Sequence, residues 1–388
     1  MVLPNPSTGH PPGIKVIERI ADVDAAAWNA LGALHIPFLR HEFLAALEAE
    51  DCLGERFGWL PRHLTLWDHS GRLIGAVPLY LKFNSYGEFV FDWSWADAHA
   101  RNGLRYYPKL VSASPYTPAT GPKLLCAPDA PAETRPVLIE AALELARQLE
   151  VSSLHWLFTG EQETALLERH GLLRRTGCQF HWENRGYADF EAFLGGLSAA
   201  KRKNIRKERR RVTEAGIRFR RLDGHAATTA DWKTFHAFYE STFHRLGGIP
   251  TLSLGFFRAL ARSMPDGVLL ILAEHAGEPV AAAFCLVGGG TLYGRHWGCS
   301  EFFDKLHFET CYYQGLDYCI EQGLARFEPG AQGEHKIARG FLPTETLSAH
   351  WLAEPRFHDA IARHLDHERA GMRDYIAEMH THSPYRDL

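Results

Sequence analysis

The stretch EPGAQGEHKIARGF sets Glu328, Gln332, Glu334, His335, Lys336 and Arg339 close together along the chain. Pro329, Gly330 and Gly333 mark it as a loop, and a loop with so varied a set of ionisable groups is suited to chemistry more than to packing. A carboxylate or an imidazole can take a proton, so Glu328 and His335 are candidate general bases. Lys336 and Arg339 can hold a developing oxyanion or a phosphate, and Arg339 and Gln332 can grip a substrate.

Two neighbouring segments add candidates. YGRHWG ends an apolar stretch, and strict strand alternation would put Arg295 and Trp297 on one face and His296 on the other. HFETCYYQGLDYCIEQG reads as a helix on which Glu309 projects between Leu316 and Ile320. There it either favours the helix dipole from the first turn or belongs to a site. The strand ending in GRHWG and the strand LARFEPG flank this helix, so their C-terminal ends can splay around one opening. Arg295, His296, Glu309, Glu328, His335 and Lys336 would then share a cleft.

Earlier in the chain, FDWSWADAHARNGLRYYPKLVSASPYTPATG offers Asp92, Asp97, Lys109, Tyr116 and Thr117 as substrate-binding candidates. Trp93 and Trp95 line a groove or fill core, Asp97 has Arg105 nearby as a partner, and Tyr116-Thr117-Pro118 opens a loop suited to a substrate rim. The run SAAKRKNIRKERRRV packs eight cations, Lys201 and Arg206 among them, into a chain of net charge −4. Ile205 and Val212 fall on one side of a helix there, Ser198 stands at its N-cap and Gly216 at its stop. The cations are either a solvated face or a contact for the phosphates of a polyanion. No aromatic residue interleaves them, which argues against stacking on bases.

A length of 388 residues calls for more than one core. Two separated stretches, from His63 and from Val268, share a layout of helix, three antiparallel strands, helix and strand. The reading is a loose tail over 1–13, a first α/β domain over 14–190 and a second over 191–388, closed by an amphipathic helix that Pro355 starts. A pI of about 6.6 gives no general attraction to DNA or anionic lipid. Seven cysteines without a C-x-x-C pair fit reduced thiols in a cytoplasm. No apolar run is long enough for a transmembrane helix, no histidine pair suits a metal, and Walker and Rossmann glycine patterns are absent.

LSAAKRKNIRKERRRVTEAGIRFR resembles the segment that opens the second acyltransferase-like domain of FemAB-like proteins, through Leu197, Ser198, Lys201, Asn204, Ile205, Arg206, Lys207, Gly216 and Ile217. EFVFDWSWADAHARNGLRYYPKLVSASPYTPATGPKLL and FEPGAQGEHKIARGF resemble segments of the peptidoglycan-associated group of that family. The resemblance implies tandem GNAT-like domains with mixed sheets, and an N-acyltransferase acting on an amine of a small molecule or a cell-wall precursor. The donor it implies is acyl-CoA or aminoacyl-tRNA, as a co-substrate and not a tightly bound cofactor. The Q/R-x-x-G-x-G/A loop with which GNAT enzymes hold the coenzyme A pyrophosphate is missing after YGRHWG. That departure and the basic helix both suit tRNA. A catalytically inactive module that binds a precursor or another polyanion is the alternative.

Overall fold

The computed structural model describes residues 13–331 and 333–386. The expected tail lies outside them except for Gly13, which opens the strand Gly13–Ile17, and Gln332 also lies outside the described residues.

The later meander forms as its spacing predicts. Val268–His275, Glu278–Gly288 and Thr291–Cys299 pair antiparallel, with the second hairpin turning on Gly289 and Gly290, both at positive φ. A helical segment follows, its turns widened to π geometry over Glu309–Tyr313, and Arg326–Glu328 then returns parallel to Thr291–Tyr293. The earlier meander divides between two sheets. His63–Trp67 and Leu73–Val77 join a four-stranded sheet with Gly13–Ile17 and Leu125–Cys126. Past Pro78 the chain enters the main sheet as Tyr80–Lys82. Among the described residues no strand runs into Trp93 and Trp95; the carboxylates of Glu88 and Asp92 there turn inward onto Lys109. Trp93–Arg101 is a helix instead.

Among the described residues the main sheet has eleven strands. Ile217–Leu222 lies at one edge, then come the later meander, Arg326–Glu328, Leu173–Glu183, Leu342–Leu352, Ser153–Thr159, Lys109–Ser112, Tyr80–Lys82 and, at the other edge, Trp59–Pro61. The sheet is mixed: two pairs are parallel, Thr291–Cys299 with Arg326–Glu328 and Lys109–Ser112 with Ser153–Thr159. It runs unbroken across residue 190. Leu342–Leu352, from late in the chain, sits between two strands from early in it, antiparallel to both. Helix His41–Ala49 packs on helix Leu254–Ser263, with Phe43 edge-on to Phe256, so the earlier and later parts also share one apolar core.

The basic run is the helix Ala199–Glu214, seated by fully buried Ile205 and Val212. Gly216 follows it at φ 75°. Ser198 stands at the N-cap position without capping through its side chain. Its N–H donates instead to the carbonyl of Pro384 at 2.8 Å, and Arg386 Nε donates to the carbonyl of Leu197 at 2.9 Å. The end of the chain thus fixes the start of the basic helix. The amphipathic helix Pro355–Thr381 begins at Pro355 as expected.

Candidate active site

A cavity of about 270 Å³ opens on the main sheet, under the loop Phe89–Phe91 and against the last helix. Its floor comes from two adjacent strands, whose register sets Gly177 opposite Thr346 and Arg175 opposite Ser348. Gly177 does not have a positive φ, yet a Cβ there would come within 2.8 Å of Thr346 Oγ1. The glycine keeps space open within a strand, as where a ligand approaches closely. Two aromatic residues in the cavity wall have left-handed backbones, Phe89 at φ 61° and Phe158 at φ 54°. Phe158 is the extra residue of a bulge opposite the Leu347–Ser348 step. Such conformations are held only where the surroundings impose them, and they gather at functional sites.

On one side of the cavity a polar path leads to Glu328. Gln179 lines the cavity, donates to the carbonyl of Pro118 at 2.9 Å, and contacts His181 Nε2 at 3.0 Å. An amide oxygen only accepts, so His181 carries its hydrogen on Nε2, and that nitrogen is 4.0 Å from Glu328 Oε2. Burial pushes His181 down to about 3, with the charges of Arg326 and Lys336 adding to the effect. Burial lifts Glu328 to about 7 against the pull of Arg326, Arg295 and Lys123. Its Oε2 is buried and has no hydrogen-bond partner among the described residues. Lys123 and Lys336 are buried as well, and Arg295 is half-buried. Burial lowers Arg295 to about 10, and Lys123 and Lys336 to about 8. Arg295 donates to the carbonyl of Tyr116, Lys123 to those of Gly121 and Phe158, and Lys336 to that of Gly330 at 2.7 Å.

On the other side lies a second buried network. Lys109 donates to Asp92 and, at 2.8 Å, to Glu88. Tyr106 Oη donates to Asp92 Oδ2 at 2.5 Å and lies 3.3 Å from His155 Nε2. His155 and His350 meet through their Nδ1 atoms at 2.7 Å, and His350 Nε2 is 2.9 Å from Ser348 Oγ. Burial opposes the charge on Asp92, but Lys109 outweighs it and holds the carboxyl at about 2. Burial together with the charge of Lys109 pushes His155 down to about 3.

The sequence-derived candidates divide among these surroundings. Glu328, Arg295 and Lys336 belong to the first network, Asp92 and Lys109 to the second. His296 and Glu309 do not join Glu328. A bulge leaves Arg295 unpaired between Gly294 and His296, which breaks the expected alternation. His296 packs among Tyr239, Phe257 and Phe284, and burial pushes it well below its ordinary value. Glu309 is bound by Arg209 of the basic helix at 3.1 Å and by Gln314 at 2.8 Å. His335 is exposed beside Lys336, 2.9 Å from Tyr312 Oη. Arg339 is committed to Glu208 at 2.8 Å and lies over the Phe308 ring at 3.4 Å. Trp95 fills core beneath Arg175 and against His350. Asp97 is exposed and pairs with Arg101 rather than Arg105. Tyr116 donates to the carbonyl of Cys52 and Thr117 to that of Pro115. Arg206 is exposed and paired with Glu191, and Lys201 is half-buried on the basic helix.

Gln179, His181, His155, Ser348 and His350 were missed. Their signal is a recurrence: SLHW, QFHW and SAHW each place a polar residue two before a histidine and a tryptophan right after it. The three lie on adjacent strands of the sheet.

The model of the FemAB-like family, described as peptidoglycan biosynthesis or recognition, matches residues 19–387. The chain belongs to that family. No curated protein sequence matches it. Among solved structures it is similar to the C-terminal domain of a putative lysylphosphatidylglycerol synthetase from Agrobacterium fabrum, at TM-score 0.54 and 9% identity over 89% of this chain and 96% of that one. FemX is similar at TM-score 0.50 and 12% identity over 81% and 93% of the two chains. A tandem GNAT protein from the clavulanic acid biosynthesis pathway is matched at TM-score 0.47 and 13% identity, over 88% and 98%. The fold of this FemAB-like protein is α/β with mixed sheets, like those of the lysylphosphatidylglycerol synthetase domain and FemX. Among the described residues no helix is long and apolar enough to cross a membrane.

Proposed function

We propose that this FemAB-like protein transfers an acyl or aminoacyl group from an activated donor to an amine, with Glu328 as the base. The observation that carries the reading is the Glu328 carboxylate, buried, unpartnered at Oε2 and lifted to about 7. An amine attacks only after losing its ammonium proton, and a base that titrates near neutrality is suited to taking it. Arg295, Lys123 and Lys336 supply positive charge for the tetrahedral oxyanion. Arg339 takes no part in this, being spent on Glu208. The family description supports an acceptor from peptidoglycan synthesis. The basic helix and the missing pyrophosphate loop support aminoacyl-tRNA over acyl-CoA as donor.

The test is a single-turnover screen of aminoacyl-tRNAs and acyl-CoAs against cell-wall precursors and free amines, read by mass spectrometry. With the active pair, Glu328→Gln is expected to lower the rate about 10²–10⁴-fold without lowering the melting midpoint. Near-full turnover in that variant would remove Glu328 from the chemistry. Binding of a precursor by wild type, with no transfer from any donor, would favour the inactive binding module.

A further inference from the structure

Ser348 lines the cavity, and its hydroxyl ends a hydrogen-bonded chain whose protons can be assigned from the far end. Tyr106 Oη spends its hydrogen on Asp92, so toward His155 it can only accept. His155 Nε2 therefore carries a hydrogen, shared between Tyr106 Oη at 3.3 Å and Ser153 Oγ at 2.8 Å. A neutral imidazole has one donor and one acceptor, so His155 Nδ1 accepts and His350 Nδ1 donates across their 2.7 Å contact. His350 Nε2 is left as a lone pair, 2.9 Å from Ser348 Oγ. Asp92 thus fixes, link by link, an imidazole that draws the proton from Ser348.

We propose that Ser348 is a nucleophile with His350 as its base, that His155 positions the base, and that the cavity takes an activated acyl ester or thioester. A hydroxyl within reach of a base that a third group orients is the arrangement nucleophilic catalysis needs. Two further observations point to the same atom. The backbone opposite Ser348 is a bulge with Phe158 at φ 54°, and bulges next to sites re-aim side chains. Arg175, across the ladder from Ser348, commits Nε to Glu368 and Nη1 to the Phe91 carbonyl. Its Nη2 makes no hydrogen bond among the described residues and is available to an oxyanion.

In the covalent step Ser348 Oγ attacks the carbonyl carbon while its hydrogen passes to His350 Nε2. The bond to the leaving oxygen or sulfur breaks, and that atom takes the hydrogen from His350. Acyl-Ser348 and a free alcohol or thiol result. An amine or water then releases the acyl group as amide or acid and restores the hydroxyl. Acylation needs neither an amine nor Glu328, so this proposal fails or survives apart from the transfer reading.

The test treats the full chain with a small dialkyl fluorophosphonate and, separately, with p-nitrophenyl acetate, then maps adducts by mass spectrometry after acid quench. The expected result is one adduct per chain on Ser348, absent in Ser348→Ala. His350 faces His155, the charges of Arg175 and Lys109, and the Trp95 ring, and burial holds it well below its ordinary value. It is neutral across the neutral range, so the wild-type labelling rate should be flat there. His350→Gln should be slower by about 100-fold or more, with a rate that rises in proportion to hydroxide. No adduct on Ser348 in folded wild type, or equal rates and pH profiles in wild type and His350→Gln, overturns the proposal. The wild-type map decides even if a variant fails to fold.

Discussion

The cavity lies between two buried polar networks that treat charge differently. On the Asp92 side two lysines, Lys82 and Lys109, face two carboxylates, and every link from Lys109 to Ser348 has a donor and an acceptor, although Asp92 Oδ1 and Glu88 Oε1 accept no hydrogen bond among the described residues. On the Glu328 side a carboxylate stands among cations that donate instead to backbone carbonyls, and no hydrogen bond reaches it among the described residues. Its nearest cation, Arg326, is 3.8 Å away and partly exposed. A connected network can hold a geometry, because each member fixes the next. Burial lifts both Glu88 and Glu328 to about 7, but Glu88 is held by Lys109 whereas Glu328 has no such partner and is poised to exchange a proton, at a cost to the fold. The two sides should therefore answer mutation with opposite signs.

The largest effect is expected at Lys109. Lys109→Met strands Asp92 and Glu88 without their main partner in the interior, and breaking a buried pair this way costs about 3–5 kcal/mol. Urea unfolding measures it, and a loss under about 1 kcal/mol would mean the network is not a structural clamp. Glu328→Gln should act the other way. Glu328 takes its proton near 4.5 in the unfolded chain and near 7 in the folded one. Between those values the folded state binds more proton, so stability falls as pH rises and the deficit is complete above about 7. That deficit is about 3 kcal/mol at most. At pH 8 the variant should be the more stable protein by up to that amount, and at pH 4 the two should match. A variant less stable at pH 8 would show that the carboxylate is paired after all.

A smaller effect is expected at Gly177. Its backbone would accept a side chain, and the only close neighbour of a Cβ is a threonine hydroxyl that can rotate. Gly177→Ala should change stability by less than about 1 kcal/mol, yet it narrows the cavity floor beside Ser348. The measurement is the labelling rate of Ser348, which should fall at unchanged melting midpoint. An unaffected rate would place the reacting group elsewhere.

The contrast between the networks also marks what the sequence could tell. The loop after Glu328 was legible because its residue types are out of place in a loop that merely connects, and the meander around GRHWG because period-2 patterning and paired glycines are local signals. Lys109 and Asp92 were visible as residues, but not as a clamp, since their partners are Tyr106, Glu88 and a histidine far along the chain. His350 was legible only as a histidine. Its meaning depends on Leu342–Leu352 entering the sheet beside Ser153–Thr159, a pairing that joins residues almost 200 apart. The alternation expected at Arg295 and His296 failed for a related reason: a bulge is set by the partner strand, which local sequence does not encode.

The smallest stability effect, and the one that tests the donor, concerns the basic helix. Satisfied and unsatisfied charges coexist there too. Arg206, Arg209, Arg210 and Arg211 pair with Glu191, with Asp317 and Glu309, with Glu214 and with Asp304 respectively. Lys201, Lys203 and Lys207 have no ion-pair partner among the described residues, and the last two are exposed. Arginines already neutralised by carboxylates add little to the attraction of a polyanion, whereas unpaired lysines release counterions when phosphates arrive. Replacing the three lysines by glutamine should leave stability within about 0.5 kcal/mol. It should also weaken tRNA binding and reduce the slope of log affinity against log salt by about two to three. Replacing exposed Arg206 and Arg210 instead should change that slope by less than one, because each gives up a carboxylate partner along with its charge. Filter binding across a salt series separates the outcomes. If the lysine variant binds tRNA with the same slope as wild type, the helix is a solvated face and the donor must be held elsewhere.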